Sequence, residues 1–396
     1  MEGLLRLYVA IAPHPPGSTF LPDPDMAYRL RPDDPSAFEE NPDGFINSLG
    51  FRDRPRSRGK PDGVYRILGI GDSFVYGSTK RLDDHFLRIA ERHVDASGAI
   101  LGTSCDSLEL LLMGVGGYSP ENEVGVLRAV GLSLAPDLVV LNFFVGNDVT
   151  GIPVRSRVIA GETYIVGSPY PWLDRLRHSM AFVFTERLLL PPFRETMLSI
   201  YSRLARRNSR LRSSEAKTDE SPARTGEPAA GSQPAELPAI PVHSYSPWYL
   251  HSQLKDLPVY LEVTDRRTES LWEESENYLR EFDRLCRDAR VPWVLHLIPA
   301  DVQVDDGLRR DVLSECGLEG SLFDFDAPQR RLRAFAQELS VPCHDPLADM
   351  RSTQANGKSL YRVDDIHFSV RGNRVAGESL GRFLADWIPE ERRGSR

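Results

Sequence analysis

The chain predicts an α/β fold built on a parallel sheet, and three observations carry that expectation. Apolar runs without alternation recur at Val64–Ile70, Leu108–Met113, Leu138–Val145 and Val291–Ile298, as strands buried on both faces require. Stretches with apolar residues at helical spacing lie between them. Small polar clusters stand directly after two of the runs, where open α/β sheets place their sites.

Taken in order, residues 13–62 are rich in Pro, Asp and Arg and read as an N-terminal arm (1–62), with turn signals at Pro15–Gly17 and Pro61–Gly63. The core opens with the strand Val64–Ile70. A helix follows, with Leu82, Phe86, Ile89, Ala90 and His93 sharing one face. After Leu108–Met113, Ser119 and Pro120 supply an N-cap and a first-turn proline for a helix running to about Leu132. Leu138–Val145 is the strongest strand. The alternation then breaks at an insertion, 151–245, with an arginine-rich helix (Arg203, Arg206, Arg207, Arg210 and Arg212). Residues 213–241 are almost wholly Ser, Glu, Thr, Pro, Ala and Gly, a composition that buries too little apolar surface to offset ordering entropy and reads as a disordered linker. Order returns with a helix carrying Leu271, Tyr278, Phe282 and Leu285, and the strand Val291–Ile298 comes next. Two further helices carry Leu332, Phe335, Ala336 and Leu339, and Ala376, Leu380, Phe383, Leu384 and Trp387. The halves read as one sheet, so residues 63–396 form a single interrupted domain.

Of the 396 residues, 48 are Lys or Arg and 57 are Asp or Glu, a net charge of −9 that argues against a nucleic-acid partner. Cys105, Cys286, Cys316 and Cys343 have no CxxC spacing and read as buried thiols, not as a disulfide scaffold or zinc knuckle. No apolar run approaches the ~18–20 residues that span a bilayer. Met1–Ala12 is apolar but short, carries Glu2 and Arg6, and lacks the basic start of a secretory leader. Read from Met1 the chain is cytoplasmic; an upstream anchor would place it outside. The arginines at 203–212 read as a solvated helix face, and the sequence gives membrane contact no support.

Three clusters can carry chemistry. Gly69, Gly71, Asp72 and Ser73 put a serine on a strand-to-helix turn. A dinucleotide fingerprint would need glycine at Phe74, and the GxSxG elbow would need it at Val75, so neither applies. By itself the cluster also reads as a helix cap. Gly146, Asn147 and Asp148 follow the strongest strand, where an Asn amide can donate to a developing oxyanion or simply make a turn. Asp364, Asp365 and His367 precede the last helix, and Asp and His three apart on a turn can hold an imidazole in one tautomer as a general base. No partner histidine stands near for a metal. His93, His296 and His344 read as structural.

Taken together, Gly-Asp-Ser-Phe at 71–74, the glycine-rich Gly114, Gly116 and Gly117, Gly-Asn-Asp at 146–148 and the C-terminal Asp-x-x-His resemble, in order, the blocks of the SGNH (GDSL-like) hydrolases across about residues 64–388. The resemblance implies a three-layer, flavodoxin-like parallel sheet flanked by helices. It implies Ser73 as nucleophile, His367 as base and Asp364 as the carboxylate orienting it, with Asp365 outside the pattern. The oxyanion hole would be the N–H groups of Ser73 and Gly117 (Gly114 and Gly116 being the other candidates) and the Asn147 amide. Asp72 and Asp148 would bond backbone around their turns. Phe74 departs from the leucine of the family motif, which puts local packing in question.

The resemblance implies acyl transfer from a small-molecule or carbohydrate ester through a Ser-His-Asp triad, with no metal or organic cofactor. Water as acceptor makes an esterase; a polysaccharide hydroxyl makes an O-acyltransferase. A non-catalytic binding module on the same fold is the remaining alternative.

Overall fold

The structure, a computed structural model, describes residues 20–34, 46–77, 81–100, 105–151, 155–159, 162–166, 245–355 and 359–394. The arginine-rich stretch and the linker expected at 213–241 lie outside them.

Five strands form the parallel sheet: β3 (Val64–Gly71), β4 (Ser107–Gly114), β5 (Leu138–Phe144), β8 (Trp293–Ile298) and β9 (Cys343–His344), in the order β4-β3-β5-β8-β9. By appearance this is second-first-third-fourth-fifth, the flavodoxin-like order, with the switch point between β3 and β5. Every residue of β5 and β8 is buried, which is why neither run alternates.

Right-handed crossovers assign the layers. The connection from β3 to β4 runs one way along the sheet, and that from β4 to β5 runs back past β3. Their helices, α2 (Phe86–Ser97) and α3 (Pro120–Ala129), therefore lie on opposite faces. The last helix, α10 (Val370–Gly394), packs backbone-close on α2, and a Cβ on Gly377 would stand 2.5 Å from the Phe86 carbonyl oxygen. On the other face, α6 (Arg266–Ala289) lies beside α3 through an Arg128–Glu281 ion pair and beside α8 (Ala327–Glu338) through Arg331 to Glu269 and Glu276. The result is the expected helix–sheet–helix sandwich.

Local chemistry sets the helix ends. His85 Nδ1 accepts the Leu87 N–H at 3.1 Å to start α2, and left-handed Gly98 ends it. Pro120 opens α3, and Asn122 Oδ1 accepts the Ser119 N–H at 3.0 Å. This helix stops at Ala129, short of the expected Leu132, and tightens into a 3-10 turn over Gly131–Leu134.

Among the arm residues described, β1 (Phe20–Asp23) and β2 (Ala27–Leu30) make an antiparallel hairpin that buries Met26, Tyr28 and Leu30. Four-residue strands, one with Pro22, are too short to leave a period in the sequence. Farther on, Arg52 donates to the Tyr76 and Gly77 carbonyls at 2.9 Å each. Buried Asp53 pairs with the buried guanidinium of Arg88 and with Arg56. Within the insertion, β6 (Arg155–Ile159) and β7 (Glu162–Val166) form a separate hairpin. The sequence reading also passes over α5 (Pro247–Asp256), which begins where the insertion ends.

Candidate active site

β3 ends at Gly71, the next residue is buried Asp72, and Ser73 opens the short helix α1 (Ser73–Tyr76). Such a sharp turn needs small neighbours. A Cβ on Gly71 would lie 2.6 Å from Val75 Cγ2, and one on Gly114, its register partner on β4, 2.5 Å from the Tyr76 nitrogen. Asp72 caps the turn, its Oδ1 accepting the Phe74 N–H at 2.8 Å.

The loop between Tyr361 and Phe368, which face each other in an antiparallel bridge, brings His367 to this turn. The Arg362 N–H donates to the His367 carbonyl at 2.9 Å and closes the loop. His367 Nε2 lies 2.8 Å from Ser73 Oγ, across 294 residues of sequence. His367 Nδ1 lies 2.6 Å from Asp365 Oδ1. A carboxylate can only accept, so Nδ1 carries the proton and Nε2 is left to accept from the serine hydroxyl. Ser73 Oγ also stands 3.4 Å from Asp72 Oδ2, a much longer approach.

The carboxylate on the imidazole is thus Asp365, and the expectation of Asp364 in that place is corrected. The reason lies in the backbone. Asp364 is in the left-handed region (φ 58°), which carries its own carboxylate away from the ring. Asp364 Oδ1 instead accepts the Ser246 N–H at 2.7 Å, joining this loop to the start of α5. Asp365 Oδ1 then takes both the ring N–H and, at 3.1 Å, the main-chain N–H of His367, an Asx-turn contact two residues on. Burial alone would raise the Asp365 carboxyl, but the His367 bonds and the Arg362 guanidinium, 3.2 Å from Oδ2, hold it below its ordinary range.

Asn147 opens the short helix α4 (Asn147–Thr150) just past β5, at the switch point. Its Nδ2 donates to Asp72 Oδ2 at 3.0 Å, which leaves the second amide hydrogen for another acceptor. Asp148 Oδ2 accepts the Phe144 N–H at 2.7 Å, so both aspartates bond backbone at their turns as expected. Burial pushes the Asp72 carboxyl up against the pull of the Phe74 N–H and the His367 and Asn147 side chains. Burial, reinforced by neighbouring acids, pushes Glu123 and Asp148 well up.

Phe74 takes up the departure from the family leucine. Its ring packs between Phe144 (centroids 4.7 Å apart) and Phe368 (4.9 Å), and 5.1 Å from the His367 ring, which it buttresses. Of the glycines of this block, Gly114, the last residue of β4, lies packed under α1, whereas Gly117, on the loop beyond, is exposed with φ 80°, a conformation glycine adopts without the cost a side chain would bring. Ser73, Asn147 and His367 therefore meet at one place, Gly117 sits on the loop that follows β4, and Asp364 faces elsewhere. Sequence reasoning missed Asp365, because its two-residue offset brings the carboxylate to the ring only with the left-handed turn before it.

Among the described residues no group of three or more His, Cys, Asp or Glu is placed to hold a metal, and no helix is long and apolar enough to cross a membrane.

No family model and no curated protein matches the chain. Among solved structures, it is similar to an acetyl xylan esterase, AlAXEase, at 12% identity over 81% of this chain and 99% of that one, with a TM-score of 0.40. It is also similar to Axe2, an acetylxylan esterase from Geobacillus stearothermophilus, at 13% identity over 83% and 95% of the two chains and a TM-score of 0.38. A lipase/acylhydrolase from Enterococcus faecalis is similar at 12% identity over 81% and 96%, with a TM-score of 0.35.

Proposed function

We propose that the chain is a serine-dependent acyl hydrolase acting on an O-acyl ester. The observation that carries this reading is the continuous relay from Asp365 through His367 to Ser73, with contacts of 2.6 and 2.8 Å. Hydrogen-bond reach from nucleophile to base, with the base oriented by a third group, is what activation of a serine requires.

In the first step His367 Nε2 takes the hydroxyl proton as Ser73 Oγ attacks the ester carbonyl carbon. Asp365 stabilises the imidazolium that forms. The carbonyl oxygen becomes an oxyanion, met by the N–H groups of Ser73 and Gly117 and the free Asn147 amide hydrogen. His367 returns the proton to the departing alkoxide, leaving an acyl-serine and an alcohol. Water, deprotonated by the same imidazole, then attacks the acyl-serine, and as the acyl C–O bond breaks His367 gives that proton to Ser73 Oγ, releasing the carboxylic acid and restoring the serine. Asp72 serves this cycle indirectly, by holding the Asn147 amide.

Labelling with a fluorophosphonate, mapped by peptide mass spectrometry, tests the reading. Modification at Ser73 that is lost in His367→Ala is the expected result. A folded wild-type protein that takes no label and hydrolyses no simple ester would return the chain to a binding role.

A further inference from the structure

We propose that Tyr28, from the N-terminal hairpin, is a positioning residue of the oxyanion hole, its hydroxyl locking the Gly116–Gly117 peptide with the Gly117 N–H turned to the site. The inference rests on the functional reading above and extends it to a part of the chain far from the recognised blocks.

Glycines on both sides leave the Gly116–Gly117 peptide free to rotate. Side-chain packing does little to hold it, since a Cβ on Gly116 would meet nothing within 4 Å. The Tyr28 hydroxyl donates to the Gly116 carbonyl at 2.8 Å. In a planar trans peptide the C=O and the following N–H point in opposite directions, so a bond that pins the Gly116 oxygen on one side presents the Gly117 N–H on the other. That N–H finds no protein acceptor among the described residues.

The hairpin is itself anchored to the element it positions. The Tyr118 hydroxyl donates to the Tyr28 carbonyl at 2.5 Å, and Asn122 Nδ2 donates to the Met26 carbonyl at 2.9 Å. Gly125 lets α3 come so close that a Cβ there would stand 2.3 Å from the Asp25 oxygen. The Tyr28 ring is buried against Phe20 and Tyr118 (centroids 5.6 and 5.2 Å away) and has little freedom to leave. Burial, with the Asp72 charge nearby, pushes the phenol up, so the hydroxyl keeps its proton and remains a donor.

The test compares wild type with Tyr28→Phe in 4-nitrophenyl acetate hydrolysis and in inhibition by phenylboronic acid, which adds to Ser73 as a tetrahedral adduct with an oxygen in the hole. Removing one fixed donor costs about 10²–10³-fold, and a donor left free to rotate loses part of that. Y28F should therefore lower kcat about 10–100-fold with KM nearly constant, and weaken the boronate by a similar factor. Unchanged kcat, or lower kcat with unchanged boronate affinity, overturns the proposal. Should Y28F not fold, the wild-type protein decides: the Gly117 amide resonance must shift on boronate addition, and a Gly117 signal that stays in place overturns the role. A wild type that neither turns over the ester nor takes a fluorophosphonate at Ser73 fails the functional reading instead, which separates the two failures.

Discussion

Asp365 and His367 are two residues apart, and one oxygen of the first, Oδ1, accepts both the ring N–H (2.6 Å) and the main-chain N–H (3.1 Å) of the second. This contact sets the tautomer of the imidazole. It also ties its backbone, so the imidazole reaches Ser73 as part of a closed loop and not as a free rotamer.

The two adjacent aspartates should separate cleanly on substitution. Asp365→Asn favours the wrong tautomer and should lower kcat about 10⁴-fold, the scale seen when the carboxylate of such a relay is replaced by an amide. Asp364→Asn keeps an acceptor for the Ser246 N–H and tolerates the left-handed backbone, so kcat should stay within a few-fold. Steady-state kinetics on both variants checks the assignment, and equal losses would contradict it.

On the proposed reading Asn147→Ala removes an oxyanion donor and leaves the relay intact. The expected cost is about 2.7–4 kcal/mol of transition-state stabilisation, appearing in kcat and little in KM. An unchanged kcat would remove Asn147 from the oxyanion hole.

Buried Asp301 accepts from the Tyr249 hydroxyl at 2.5 Å and from Gln253, yet burial outweighs these bonds and lifts its pKa to about 6. An unfolded aspartate sits near ~3.9, so the folded state holds this proton more tightly. Its contribution to stability is full below about pH 4 and is lost as the pH rises through about 6. Between those limits wild type should gain on the order of 2 kcal/mol over Asp301→Asn as the pH falls. Urea unfolding of both proteins across that range measures the difference, and parallel curves would refute it.

The arm is held by buried charge. Asp53→Ala would take from the buried Arg88 guanidinium one of its two carboxylate partners, Glu91 remaining, and would leave the Leu112 N–H without its side-chain acceptor. An uncompensated buried charge costs about 3–5 kcal/mol, and because Glu91 keeps Arg88 paired the loss here should fall below that range. Chemical denaturation should show that loss, and a change below about 1 kcal/mol would mean that the arm contributes little to the core.

Much of this architecture was legible in the chain. Continuous apolar runs such as Leu138–Val145 can be buried only from both sides, and a parallel sheet with helices on each face is the structure that does so. Ser73 and Asn147 stood out as polar residues at strand ends, where such a sheet places its sites, and His367 as a histidine just before the last helix, whereas Gly117 was singled out only by the resemblance of its glycine-rich block. The two-stranded hairpin over residues 20–30, the two-residue strand β9 and helix α5 left too short a pattern to read.

Sequence by itself determined the layers, the strand-end clusters and the residue types that face one another, because hydrophobic period and chain order constrain these directly. Only tertiary structure decided which of two neighbouring aspartates meets the imidazole, and that a tyrosine from the arm reaches the Gly116 carbonyl. Both depend on backbone angles and on contacts spanning from two to 88 residues, the left-handed turn at Asp364 and the hairpin packed against α3. A one-residue offset in sequence does not record the rotation that a positive φ introduces, and no local pattern records which distant carbonyl a hydroxyl will meet.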